Sequence, residues 1–177
     1  MQLQGMVRER PEWFVYCVSC NNGSEKRVAE RLRSALNKEV IFPVRVMKKR
    51  KAREWSEEEI PLTPGYVFIY SDSEVNLENA KKSGVHRVLS YGEDFKELHG
   101  GDFEFAMWVL RYEGRVQVSR ALIEGEKVRI IIGPLTDSYV RITRIDRHKR
   151  RAKVEFLFAG REQSTWLSFD WITRTGS

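Results

Sequence analysis

Thr63-Pro-Gly-Tyr-Val-Phe-Ile-Tyr70 runs from a turn directly into a strand. Pro64 fixes φ at the second turn position, and Gly65 supplies the positive φ that a type II turn needs next. Tyr66 to Tyr70 is then uninterrupted apolar sequence, the mark of a short strand covered on both faces. Upstream, Trp13-Phe-Val-Tyr-Cys-Val18 reads the same way. Asn21 to Ser24 breaks that strand, and Ser24 is placed to cap a helix. Val28, Leu32, Ala35 and Leu36 form the apolar stripe of that helix, and Asn37 stops it. Val40 to Met47 is extended, with Pro43 marking an edge or bulge. Lys48-Lys-Arg-Lys-Ala-Arg53, followed by Glu54 and Glu57 to Glu59, has no apolar period and reads as a solvated hairpin tip.

Beyond the deciding stretch, Ser73 to Lys82 predicts a short helix ended by Gly84. Val85 to Leu89 predicts a strand. Asp102 to Arg111 predicts a helix with Phe103, Ala106, Met107 and Leu110 on one face. The order β-α-β-β-α-β-α defines an α+β domain over residues 1–111, an antiparallel sheet with flanking helices. Residues 112–121 hold few large apolar side chains and read as a linker. Residues 122–177 show no helical stripe. Short strands at Lys127 to Ile132, Tyr139 to Ile145, Ala152 to Phe158 and Ser164 to Phe169 indicate a small all-β barrel.

Composition narrows the function. The 177 residues carry 31 Lys and Arg against 25 Asp and Glu, so the net charge is +6 and nucleic acid is a natural partner. No apolar run approaches the ~18 residues of a membrane span. Met1 to Pro11 is charged and lacks the apolar core of a secretory signal. A cytoplasmic protein without membrane contact is expected. Two cysteines cannot build a disulfide scaffold. Cys17-Val-Ser-Cys20 has the spacing of a redox or zinc pair. However, zinc wants about four ligands, and His86, His99 and His148 are dispersed. Cys17 also lies in a strand rather than at a helix N-terminus, so both thiols read as small hydrophobes. Gly100 and Gly101 lack the Lys-Ser/Thr of a phosphate loop, and no Ser-His-Asp arrangement with supporting motifs is present. The expectation is a non-enzymatic chain without a cofactor.

Four segments in order carry a resemblance: Trp13-Phe-Val-Tyr16, Thr63-Pro-Gly-Tyr-Val-Phe68, Gly125-Glu-Lys-Val-Arg-Ile-Ile-Ile-Gly-Pro134, and Phe158-Ala-Gly-Arg161 with Leu167-Ser-Phe-Asp170. Together, over about residues 12 to 174, they resemble the NusG family of transcription elongation factors. The first two match its N-terminal NGN domain. The last two match its C-terminal, SH3-like KOW barrel. The resemblance implies an NGN domain that grips the clamp helices of RNA polymerase and suppresses pausing, and a barrel that recruits RNA or another factor. Thr63 replaces an aromatic residue usual in housekeeping members. Leu135 replaces an aromatic residue in the loop that contacts Rho or a ribosomal protein, and Val140 replaces a glycine. The carry-over of those contacts stops at these positions. A specialised paralogue of the RfaH or LoaP kind, antiterminating at selected operons, fits better. In one branch of the family the barrel refolds to helices; here Ile130 to Ile132, Tyr139 to Ile145 and Val154 to Phe158 favour strands. A KOW-type RNA-binding protein of the translation machinery is the alternative.

The candidate site residues fall into three groups. The resemblance puts polymerase contact at Tyr16, Thr63, Pro64, Tyr66 and Tyr70. Trp13, Phe14 and Phe68 belong with the same strands, and any of these aromatics can equally fill a core. The tyrosines are chosen because a hydroxyl tolerates a wet rim. The second group is Lys48, Lys49, Arg50, Lys51 and Arg53. Arg45 to Arg53 holds six basic residues and no acid. This run is either a solvated tip or a contact to upstream DNA, or to polymerase beside it, its cations acting on phosphates without reading sequence. Glu57 to Glu59 is placed to fold back on it. The third group is Arg144, Arg147, His148, Lys149, Arg150, Arg151 and Lys153, with Arg141 nearby. Six Lys or Arg stand against one Asp between Arg144 and Lys153. This hairpin is either a soluble turn or a grip on structured RNA, with a leader hairpin as candidate. The chain is expected to act as a monomer.

Overall fold

The computed structural model describes residues 13–172; the expectation for the charged segment 1–11 lies outside them. Their contacts form two units, 13–43 with 61–114, and 44–60 with 115–172. The hairpin at 44–60 therefore groups with the C-terminal strands, although it lies within the sequential span 1–111.

The first unit is built on a four-stranded antiparallel sheet. Its strands are β1 (Phe14–Ser19), β2 (Glu39–Ile41), β5 (Tyr66–Ser71) and β6 (Arg87–Val88), in the order β2-β5-β1-β6. β1 and β5 face each other with Cys17 opposite Phe68 and Ser19 opposite Tyr66. Both strands are apolar up to their final serine because both faces are covered. On one face α1 (Glu25–Leu36) packs Val28, Ala29 and Leu32 against Tyr16, Val18, Val67 and Ile69. On the other lies α2 (Gly100–Arg111), with the Phe105 ring 5.7 Å from Phe68 and the Ala106 carbonyl 2.6 Å from the Tyr70 hydroxyl. Phe68, Tyr70, Phe105 and Trp108 are each at most 2% exposed, and full burial of such a side chain stabilises by ~1.5–3 kcal/mol.

Several expectations change here. Residues 73–82 form no α-helix; a single 3-10 turn, Ala80–Ser83, remains before Gly84. The cause is local. The Ser73 and Glu78 amides donate to the side chains of Ser71 and Asn76, and the Val75 amide donates to the Tyr16 hydroxyl. Such bonds offer the backbone an alternative to the helix. Ser24 does not cap α1 with its side chain. Its hydroxyl turns back to the Asn21 carbonyl, 2.7 Å away, while the Glu25 carboxylate accepts from the Gly23 amide just before the helix. Asn37 does end α1 in the left-handed conformation, its amide 3.0 Å from the Arg33 carbonyl. α2 is buried nearly all round rather than along one stripe, so Phe105 and Trp108 are core residues while Phe103 stays half-exposed.

The second unit holds a five-stranded sheet. It comprises β8 (Ser119–Glu124), β9 (Lys127–Ile132), β10 (Arg141–Asp146), β11 (Arg151–Phe158) and β12 (Arg161–Trp171), in the order β10-β11-β12-β8-β9. Its core is Ala121, Leu135, Val140, Ala152, Val154, Phe156, Phe158, Leu167 and Phe169. Alternation along β11 and β12 puts these side chains inward. A three-stranded sheet joins it: β3 (Val44–Lys51), β4 (Glu54–Pro61) and β7 (Arg115–Val116), in the order β4-β3-β7. The expected linker, 112–121, is thus structured. β7 pairs in parallel with β3 and Ser119 opens β8, so main-chain pairing fixes a segment poor in large side chains. Val140 is buried and absorbs its turn without positive φ.

Candidate functional site

The turn at Thr63 to Tyr66 is held from inside the first unit. The Tyr66 amide lies 3.1 Å from the Thr63 carbonyl, closing the turn. Gly65 has φ +84°; a Cβ there would lie 2.7 Å from the Asn22 side-chain oxygen and 3.2 Å from the Cys20 carbonyl oxygen, so only glycine fits. Glu25, 3% exposed, accepts from the Gly23 amide and, at 3.3 Å, from the Gly65 amide. One buried carboxylate therefore ties the turn to the start of α1, near the positive end of that helix's dipole. The sequence reading missed Glu25. Its signal was a Glu directly after Ser24, at the first helical position, where an anion is favoured.

The five candidate contact residues separate. Tyr16 and Tyr70 are 4% and 1% exposed, on opposite and covered faces of the sheet, and both hydroxyls bond internally. Their expected place on a wet rim is corrected: they are core. Thr63 is buried as well. Pro64 is exposed and Tyr66 half-exposed. Tyr66 points to the same side as Phe68 and Tyr70 but stands at the strand's first residue. It borders a groove of about 190 Å³ with Ser19, Arg87, Val88 and Leu89.

The two basic runs, separate in sequence, meet in the second unit at Asp170. Lys48 Nζ lies 3.1 Å from one carboxylate oxygen and Arg150 Nη1 2.7 Å from the other. The Arg150 guanidinium also sits 4.2 Å over the Trp55 ring, a cation–π contact to the hairpin. Burial pushes the Asp170 carboxyl up, but Lys48, the Trp171 amide and Arg150 outweigh it and hold it below the ordinary carboxylate range. Beside this clasp the Lys48 amide donates to Ser168 Oγ at 2.8 Å, and Arg45 donates to the Trp166 carbonyl. Burial, with Arg151 nearby, lowers the Arg45 guanidinium below its usual range. Sequence reasoning did not single out Asp170. A single acid near the end of a mixed strand gave no sign of its two distant partners.

The other cations divide by position. Lys49 pairs with Glu58 across the hairpin at 3.3 Å, so the acidic stretch does fold back there. Arg50, Lys51 and Arg53 are exposed at the tip, where Ala52 and Arg53 take positive φ. Arg151 stacks 4.2 Å over the Trp166 ring, and Lys153 is half-buried. Arg141 pairs with Glu155. Arg144, Arg147, His148 and Lys149 are exposed around one turn.

The thiols carry no sign of chemistry. Burial raises both Cys17 and Cys20 above the ordinary thiol range, the direction opposite to a reactive thiolate. Among the described residues no group of three or more His, Cys, Asp or Glu is placed to hold a metal ion. No helix among them is long and apolar enough to cross a membrane.

The described residues thus form a sheet sandwiched by two helices and an all-β unit bearing exposed cations. Residues 12–102, just over half of the chain, match a sequence model described as transcription termination factor nusG. The chain belongs to the NusG family, and its class is that of a transcription elongation factor. Among solved structures it is similar to one described as "Domain interaction in Thermotoga maritima NusG". That likeness has 24% identity and a TM-score of 0.44, and covers 90% of this chain and 95% of that one. A comparison with curated proteins returns no match.

Proposed function

We propose that this chain binds RNA polymerase through the Thr63 to Tyr66 turn and promotes processive antitermination, while its C-terminal strands recruit RNA. It acts as a cytoplasmic, non-enzymatic, specialised paralogue. The carrying observation is Tyr66. Of the three candidate tyrosines it alone is left at the surface, on a turn that Glu25 and Gly65 hold rigid. A preorganised aromatic anchor loses little freedom on binding. Binding the forward-moving polymerase better than the paused one would shift the population toward elongation. Arg50, Lys51 and Arg53 at the hairpin tip suit upstream DNA phosphates, which they would contact without reading sequence.

Tyr66→Ala is expected to weaken binding to cognate core polymerase by roughly tenfold or more, as loss of an interface anchor does. Its thermal unfolding should stay close to wild type, since Tyr66 lies outside the buried core. Retention on immobilised polymerase measures this, with Tyr66→Phe as the conservative control. Undiminished retention of Tyr66→Ala would contradict the assignment.

A further inference from the structure

We propose that the open end of the five-stranded unit takes an unpaired RNA base against Trp171, with the adjoining phosphates on Arg144 and Arg147. This deepens the RNA reading above and rests on it.

The inward row of the sheet runs out to the surface at one end. Ala121 is fully buried, and Ile123, two residues on and facing the same way, is 48% exposed. Ala152 is fully buried, and its partner across the ladder, Ile145, is 38% exposed. Phe169 is fully buried, and Trp171, the next inward residue of β12, is half-exposed. Trp171 lies opposite Ala121, so the three strands deliver their last apolar side chains to one place. A groove of about 780 Å³ opens there, within the range of small-ligand sites. Phe169 holds the indole in a T-shaped contact at 5.2 Å.

The rim of the groove is positively charged. Arg144, Arg147 and His148 line the same groove and are exposed. Its one acid, Asp146, is already engaged: the Lys149 amide donates to it at 3.0 Å and Arg151 lies 3.9 Å away. An indole, two guanidinium groups and an imidazole are all planar. That set stacks on bases and forks onto phosphates, the composition of sites for unpaired RNA. An acidic peptide would ask only for positive charge beside an apolar floor.

The test uses the full chain and two fluorescein-labelled probes, an oligouridine of roughly twelve nucleotides and a blunt RNA duplex of similar length. Trp171→Leu keeps apolar bulk but removes the aromatic face; Trp171→Phe keeps an aromatic face. Trp171→Leu is expected to bind the single strand roughly tenfold more weakly, with Trp171→Phe close to wild type and duplex binding unmoved. A double Arg144→Glu, Arg147→Glu change should weaken both probes. Equal single-strand affinity for wild type and Trp171→Leu overturns the base site, while the RNA reading survives if the arginine changes still act. Absence of wild-type affinity for either probe overturns both. Trp171-dependent binding of an oligoglutamate peptide without RNA binding also overturns the proposal, in favour of an acidic protein partner.

Discussion

Gly133→Ala is expected to destabilise the C-terminal unit strongly. Gly133 has φ +116° and ψ −173°, a region that side-chain-bearing residues almost never enter. An added Cβ would also lie 2.7 Å from Ser119 Cα and 2.9 Å from Ser119 Cβ. Ser119 cannot yield: it is fully buried, in β8, and its hydroxyl accepts the Leu135 amide at 3.0 Å. Strain and overlap together put the cost at about 3 kcal/mol or more. A unit of this size has a total stability of only ~4–11 kcal/mol. Differential scanning calorimetry should show the transition of this unit lowered by roughly 15 °C or lost. The hydrogen-exchange protection of β1 and β5, whose packing involves none of these residues, should stay near wild type. A wild-type thermogram would show that the Gly133 turn does not hold the sheet as described.

Asp170→Asn is expected to loosen the hairpin from β12 and to strengthen nucleic-acid binding together. The substitution keeps the shape but leaves Lys48 and Arg150 side chains, 12% and 24% exposed, without their anion. Breaking a fully buried ion pair costs ~3–5 kcal/mol; partial exposure reduces this to about 1–2 kcal/mol here. The pH dependence has a definite sign. Asp170 is held below its unfolded carboxyl pKa, so its contribution is fully present above ~pH 4 and is lost as pH falls through the native value. Urea unfolding of wild type should therefore weaken toward acid by more than that of Asp170→Asn. At neutral pH the variant frees two cations. The dependence of RNA or DNA affinity on salt should steepen by up to about two phosphate contacts. Identical stability and identical salt slope would mean that the clasp neither holds the hairpin nor masks the cations.

Much of this was legible in the sequence, for reasons that differ by element. β1 and β5 announced themselves because a strand covered on both faces carries a continuous apolar run. Gly65 did so because a type II turn after Pro64 needs positive φ; the φ of Gly133 emerged only in the structure. Residues 73–82 misled because helix spacing says nothing of competing side-chain bonds, here from Ser71 and Asn76. Tyr16 and Tyr70 misled because a hydroxyl suggests a wet edge, whereas in this sheet each found an internal partner. The basic runs were visible as charge. Their meeting at Asp170 was not, because Lys48 and Arg150 are about a hundred residues apart and only the packing of β3 on β12 joins them. The groove at Trp171 was hidden for the same reason: it is assembled from three strands, each contributing one apolar residue.

The most direct test of the whole account is terminator read-through by purified cognate RNA polymerase, with and without this protein, on a template carrying the gene's own downstream leader. More read-through is expected with the protein, reduced by Tyr66→Ala and lost when the leader is scrambled. Equal read-through with and without the protein on the native leader would contradict it.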